Sequence, residues 1–505
     1  MENNNKTTKP AKRINIFFKK VFRYLNPKNL ISDIEKMGFK TPFKNIIKYY
    51  LIFAAVYIGT IFAFSIRYSF AIVMLLAGLM IMPFIILNSF AKGYEDKRFQ
   101  EVSQYIEQML YSFDDSRKIL KSLQDIEPLF RDTRIGDAIK CAQNDIVNYN
   151  AEVALSNFEK KYDCQKIHQM HQFMLEIERV GGNPHKSIAL LLQDRAAWVN
   201  RTMLFKREKN HKKNASFIAI VTSFILCVVM NNALPAEINI KGNIISQLSA
   251  AGLFIADLFL FYIIDKKNSV SMLNNLKTRK DSEVKKYYAY VINYNAKREF
   301  KKNIKLIIVP IILLFVGILW ENTLIDILSC LFMILILMKH KIDYKTRYKA
   351  IRNEIYIQFP RWLMNMALLI QSNSIQVALY KSIPTAAVVL QPELIRLNNS
   401  LREDATQSAP YLDFMSLFNI PEITSTMRMF YAISLGTGSD IDKQIANIIE
   451  RNNLLLDETE KLAFDNIMAG MYMLFLAPQL TGACKLMCDM VIFFIGILNG
   501  MNMQM

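Results

Sequence analysis

Residues 99–123 read FQEVSQYIEQMLYSFDDSRKILKSL, and residues 359–383 read FPRWLMNMALLIQSNSIQVALYKSI. Laid side by side without gaps at an offset of 260, they pair Phe99 with Phe359, Ser112 with Ser372, Lys121 with Lys381 and Ser122 with Ser382. Apolar positions agree as well, Leu110 with Ile370 and Ile119 with Leu379. A second landmark recurs at an offset of 257, where Gly181-Gly182-Asn183-Pro184-His185-Lys186-Ser187 faces Gly438-Ser439-Asp440-Ile441-Asp442-Lys443-Gln444. A fixed internal period means that one structural unit is used twice.

The unit is helical. Across Val102–Leu123 the apolar positions fall three and four apart, as on one face of a helix. Gly181-Gly182-Asn183-Pro184 reads as a joint between two helices. Glycine takes the left-handed conformation that ends the first helix, Asn183 caps the second, and Pro184 suits its opening turn. Asp440 is the corresponding cap in the second copy.

Outward from the repeated segments lie apolar runs: Tyr49–Ile66 (YYLIFAAVYIGTIFAFSI), Ser69–Leu87, Ala215–Met230, Ile245–Ile264, Lys305–Trp320 and Leu324–Met338, with weaker runs at Ile467–Leu480 and Leu486–Leu498. A helix needs about 20 apolar residues to cross a bilayer. The runs give about eight transmembrane helices, two before and two after each polar segment. The expected fold is all-α: a polytopic helical membrane protein with two homologous cytoplasmic helical-bundle domains. Its parts are a basic tail (1–48), a hairpin (49–90), a first domain (91–213), a hairpin (214–264), a basic connector (265–303), a third hairpin (304–338), a second domain (339–465) and a fourth hairpin (466–501). Within the tail, residues 10–25 (PAKRINIFFKKVFRYL) read either as an amphipathic helix on the inner leaflet or as a disordered basic segment.

Charge sets the orientation. Of the 62 Lys and Arg residues, 12 fall in residues 1–48, 21 in 91–214, 11 in 265–303 and 14 in 339–466. Basic segments stay in the cytoplasm, so the large polar segments are expected inside, in the plasma or inner membrane. Orientation and anionic lipid account for the net charge of +18 without nucleic acid. The amino-terminal region lacks the short basic stretch, apolar core and cleavage site of a secretory signal, so it is expected to remain. Six cysteines without a CxxC pair read as reduced thiols.

No motif supplies catalysis. Gly181–Ser187 (GGNPHKS) falls short of a phosphate loop, because His185 stands where glycine belongs and the segment follows a helix. Gly436-Thr437-Gly438-Ser439-Asp440 departs from the GxGD of intramembrane aspartyl proteases at Ser439. His168 and His171, one turn apart, read as a solvated helix face and not as a metal site. No enzyme activity, metal or cofactor is expected. Asp257, Asp326 and Asp489 lie in or beside apolar runs; carboxylates at membrane depth are costly and often functional. Asp326 is near a helix end, which leaves Asp257 and Asp489 as the intramembrane candidates.

Residues 95–213 resemble the F-type platform domain of type II secretion, type IV pilus and tight-adherence (Tad) pilus systems. The resemblance is carried by Arg98–Leu123, Tyr162–Phe173, Glu178-x-x-Gly181-Gly182-Asn183, Leu190–Arg195 and Arg201. The hairpin–domain–hairpin order of each half is like the tight-adherence members. The second copy departs from the pattern, with Leu435 opposite Glu178 and Ser439 in place of the second glycine. The resemblance implies an inner-membrane platform that couples a hexameric cytoplasmic secretion ATPase to pilin or pseudopilin assembly, embedded in lipid and oligomeric. Candidate partner-binding residues are Arg117, Lys121, Glu178, Gly181, Gly182, Asn183, Gly438 and Asp440. The alternatives are a multi-span transporter, for which a repeat and Asp257 speak, and a membrane scaffold unrelated to pili.

Overall fold

The computed structural model describes residues 23–24, 26–39, 42–181, 184–233, 240–269, 273, 279–304, 307–319, 323–371, 373–436 and 441–502. Every element among them is a helix. The first half comprises α1 (Pro27–Lys36), α2 (Pro42–Phe64), α3 (Tyr68–Ser116), α4 (Ile119–Ile126), α5 (Arg134–Asn148), α6 (Ala151–Lys161), α7 (Gln165–Val180), α8 (His185–Ala233) and α9 (Ile244–Asn268). The second comprises α10 (Asp281–Ile292), α11 (Ala296–Ile304), α12 (Ile308–Leu319), α13 (Thr323–Ile370), α14 (Ile375–Ser382), α15 (Gln391–Glu403), α16 (Ala409–Asp413), α17 (Pro421–Ser434) and α18 (Ile441–Asn502). Local sequence starts these helices where their side chains satisfy the free backbone amides. Asn26, Thr133 and Asn150 accept from the amides of Lys28, Gly136 and Val153 at 3.0, 3.1 and 2.8 Å.

Two separate cores form. The first gathers Phe99, Tyr105, Ile106, Phe113, Leu123, Ile139, Phe158, Met170 and Trp198 from α3 to α8. The second gathers Ile355, Phe359, Trp362, Leu379, Leu397, Tyr411, Phe418 and Phe430 from α13 to α17, with Ile448 and Leu455 of α18. Each is a small helical bundle at the polar end of two long helices.

Helix ends correct the register of the repeat. α4 begins at Ile119 and α14 at Ile375, and α7 begins at Gln165 and α17 at Pro421. Both pairs lie 256 residues apart, not 260. Gly181, with φ of 81°, and Gly436, with φ of 65°, are the positive-φ glycines at the two joints among the described residues, 255 residues apart. Shifting a helix by four residues is about one turn and returns almost the same face to the core, so apolar pattern alone does not detect the slip. Ser372, Gly438 and Asp440 lie outside the described residues, as do Gly182 and Asn183.

Five helices are long and apolar enough to cross a membrane among the described residues: Phe43–Phe64, and stretches within Tyr68–Ser116, His185–Ala233, Ile244–Asn268 and Tyr472–Leu498. The expected hairpin over 466–501 is instead one unbroken stretch of α18. Its hydropathy dips at Pro478–Lys485 because Pro478, Gly482, Lys485, Asp489 and Ile492 form a buried stripe, spaced four, three, four and three residues apart. That spacing is one face of a helix, and the polar residues on it face α8 and α9. In the third expected hairpin, α12 and α13 pack on each other. Trp320–Asn322 lie outside the described residues, and the side chain of Asp326 is not described.

The expected linkers are structural too. Val284, Tyr288 and Val291 of α10 are buried in the second core, and Tyr288 Oη donates to Glu393 at 3.0 Å. In the first half α1 buries Leu30 and Ile34 against Ile86 and Phe90 of α3. Both short helices show their apolar residues at three- and four-residue spacing. Residues 10–22 and Leu25, where the amphipathic segment was expected, lie outside the described residues.

Candidate functional site

The sequence candidates in the first domain converge where α3 turns into α4. Arg117 ends α3 in the left-handed conformation, with φ of 51°, and is exposed. α4 opens without a cap from its own flanking residue; Glu178 of α7 supplies one, accepting the Ile119 amide through Oε2 at 3.3 Å. Lys121 pairs with Asp125 at 2.9 Å on the exposed face, and that bond holds the Asp125 carboxyl below its usual range. His185 Nδ1 lies 2.8 Å from Asp114 Oδ2 and ties the start of α8 to the same corner. Glu178 is therefore a positioning residue that fastens the α3–α4 turn to the end of α7. In the second copy the matching stretch, Ile433–Gly436, has no acid.

Beside this corner a cleft of about 1370 Å³ separates the two domains. One wall is α7, with Gln169, Glu176 and Glu178, and Gly181 after it; the other is the end of α13 together with Lys381 of α14 and Arg402 of α15. Leu368 of α13 reaches into the first core, and Leu190 of α8 packs on the second. Lys381 Nζ donates to Glu176 Oε1 at 2.9 Å across the cleft, and Arg201 pairs with Asp457 at 3.0 Å. Partial burial works against the charge on Glu176, but hydrogen bonds and charge from Lys381 and Arg179 prevail and hold its carboxyl below the usual range. Ser187 donates to Gln371 at the same boundary. Sequence reasoning missed the Glu176–Lys381 bridge and paired Lys381 with Lys121; nothing in the local pattern marks an ion pair between residues so far apart.

The two histidines do not form a solvated face. His171 is fully buried in the first core: its Nε2 lies 2.9 Å from Tyr105 Oη and its Nδ1 2.9 Å from Glu159 Oε1, while His168 Nδ1 lies 2.7 Å from Glu159 Oε2. Burial lowers the pKa of His171, so the ring is neutral, donates through Nδ1 and accepts the Tyr105 hydroxyl. The hydrogen bond to Glu159 raises that of the half-exposed His168. Glu159 loses solvent, which opposes its charge, yet bonds from both imidazoles bring it down to about 2. Among the described residues no group of three or more His, Cys, Asp or Glu side chains is placed to hold a metal ion.

The apolar ends of α8, α9 and α18 meet along a polar seam. Lys485, expected in a loop, is 1% exposed inside α18 and pairs with Asp489 Oδ2 at 2.6 Å. Ser246 of α9 accepts from Lys485 at 3.0 Å and donates to Asp489 Oδ1 at 2.8 Å. Further along, Asp257 Oδ1 is 2.9 Å from Thr481 Oγ1, and Ser223 Oγ donates to the Pro478 carbonyl at 2.7 Å. A side chain at Gly482 would put its Cβ 2.1 Å from Ser223 Oγ, so glycine permits this approach of α18 to α8. The last helix of the second half is thus wedged between two helices of the first. The signal for Lys485 was its i, i+4 spacing to Asp489 within an apolar stretch.

Compared with known proteins, the chain matches no family model, no curated protein and no solved structure.

Proposed function

We propose that this chain is a non-enzymatic membrane platform of a pilus or type II secretion-like machine, passing motion from a cytoplasmic ATPase to pilin or pseudopilin subunits in the membrane. The observation that carries the reading is mechanical. α8 buries Ile188, Leu191 and Trp198 in a domain core at one end and Ser223 and Cys227 in the polar seam at the other, without a break. Its 49 residues make a rod about 74 Å long at about 1.5 Å per residue. α18 does the same for the second domain, with Ile448 and Leu455 in its core and Lys485 and Asp489 in the seam. A push on either domain therefore moves apolar helix directly, with no hinge loop between. A transporter holds its working parts in the membrane and has no need of two such levers.

In this reading both domains are cytoplasmic, as the Lys and Arg distribution requires. The α12–α13 pair enters the membrane alongside the five long helices, and the single passage of α18 leaves the carboxy terminus outside. The platform acts as an oligomer, without cofactor or nucleic acid. The ATPase contact is the corner formed by Arg117, Lys121, Glu178 and Gly181, with Gly182 and Asn183 in sequence beside it. Gly438 and Asp440 are the candidates in the second copy.

The test is co-purification. Arg117→Glu with Lys121→Glu changes exposed side chains and gives up the surface pair of Lys121 with Asp125, so folding is expected to shift by no more than about 1 kcal/mol. The double variant is expected to insert normally and to lose the secretion ATPase that the wild type retains in mild detergent. Retention by the variant removes this corner as the contact, and absence of any ATPase from the wild-type complex removes the platform reading.

A further inference from the structure

The two carboxylates of the polar seam are in different chemical situations. Asp489 is satisfied as an anion: Lys485 donates to both of its oxygens, and Ser246 completes the set. The ammonium of Lys485 is consumed in doing so, since it also reaches Ser246. Asp257 has no such partner. It is 6% exposed, its Oδ1 meets only the Thr481 hydroxyl, and its Oδ2 is buried with no hydrogen-bond partner among the described residues. Along the seam, the charged or titratable side chains among the described residues are few. They are Lys485 and Asp489 on α18, Cys227 on α8, Asp265 two turns along α9 and held by Lys213, and Tyr57 on α2, whose hydroxyl goes to the Ala71 carbonyl at 2.8 Å. Residues 69–87 of α3 include no ionisable side chain.

The hydrogen-bond geometry has one reading in which both short contacts of Thr481 are hydrogen bonds. Thr481 Oγ1 lies 2.9 Å from Asp257 Oδ1 and 2.9 Å from the Pro478 carbonyl, but a hydroxyl has a single proton. If Asp257 is an anion, Thr481 gives that proton to it, and Oδ2 keeps a share of negative charge with nothing to balance it. If Asp257 carries a proton on Oδ1, it donates to Thr481, and Thr481 donates onward to Pro478 O, which has a second lone pair for Ser223. Oδ2 is then the carbonyl oxygen of a neutral acid, far less costly to bury unpaired than a carboxylate oxygen. We propose that Asp257 is a proton-binding site in the membrane core, closed by the chain Asp257–Thr481–Pro478, with the neighbouring Lys485–Asp489 pair as a fixed, mutually hydrogen-bonded element. Removing the proton leaves a charge between α9 and α18 and opens the seam to water. Access of protons from one side or the other of the membrane would in this way set how tightly the last helix is held. This inference is independent of the platform reading.

The test uses the full-length protein in lipid nanodiscs and dicyclohexylcarbodiimide, an apolar reagent that modifies protonated carboxyls. Mass spectrometry is expected to find the adduct on the peptide containing Asp257, with yield falling as pH is raised, and none on Asp489. Infrared spectra supply a second readout that does not depend on reagent access: a protonated-carboxyl carbonyl band is expected in the wild type and lost in Asp257→Asn. That variant has an amide that donates to Thr481 as the acid does, so it is expected to fold and to lack the pH response. An adduct on Asp489 instead of Asp257, or an infrared band unchanged by Asp257→Asn, overturns the proposal.

Discussion

Replacing Tyr105 by phenylalanine removes one hydroxyl from the core of the first domain and leaves its ring stack on Phe158, at 4.7 Å between centroids, in place. The hydroxyl is 2.9 Å from His171 Nε2, and both residues are 0% exposed, so no water replaces the lost donor. Leaving one buried acceptor unpaired costs about 1–3 kcal/mol, compared with about 1 kcal/mol for a hydrogen bond exchanged with water. We expect about 2 kcal/mol, which is about 5–10 °C in Tm for a domain of this size. The measurement is thermal unfolding of the full-length protein in detergent, with hydrogen exchange on residues 99–113 and 165–180 to report the first domain separately. The second domain, with its own core, is expected to exchange unchanged. Acid acts on the same network. Glu159 is held down to about 2 from 4.5, so its contribution is complete above about pH 4.5 and is lost as pH falls towards 2. An unchanged Tm in Tyr105→Phe, or equal loss of protection in both domains, would refute the assignment of this network as a local strut of the first domain.

Two other predictions concern the membrane core and its orientation. Lys485→Met leaves Asp489 buried without its cation and is expected to cost about 3–5 kcal/mol in detergent melts, whereas Lys485→Met with Asp489→Leu recovers most of it; a double variant no better than the single one would show that the pair does not act as a unit. Single cysteines at positions 150, 280 and 400 in a cysteine-free background are expected to resist an impermeant thiol reagent in intact cells, and one at Gly242 to react; labelling at 150 or 400 without lysis reverses the orientation.

By itself the sequence determined the helical class, the apolar helices of the first half and the existence of a repeat. Each rests on local regularity: a run of about 20 apolar residues, a three- and four-residue spacing, a Gly-rich joint before Pro184. It did not determine the register, because a shift of four residues keeps a helix face intact; the starts of α4 and α7 against those of α14 and α17 were needed to choose 256 over 260. It also misread the stretch between Leu480 and Leu486, with Lys485, as a connecting loop. A polar dip inside an apolar stretch has two physical solutions, exposure in a loop or burial against polar partners, and the partners Ser223, Ser246 and Asp257 stand more than 200 residues away. The same distance hid the Glu176–Lys381 bridge and the different fates of Asp257 and Asp489. Which carboxylate keeps its charge depends on which cation packs beside it, and only the tertiary structure brings α18 between α8 and α9.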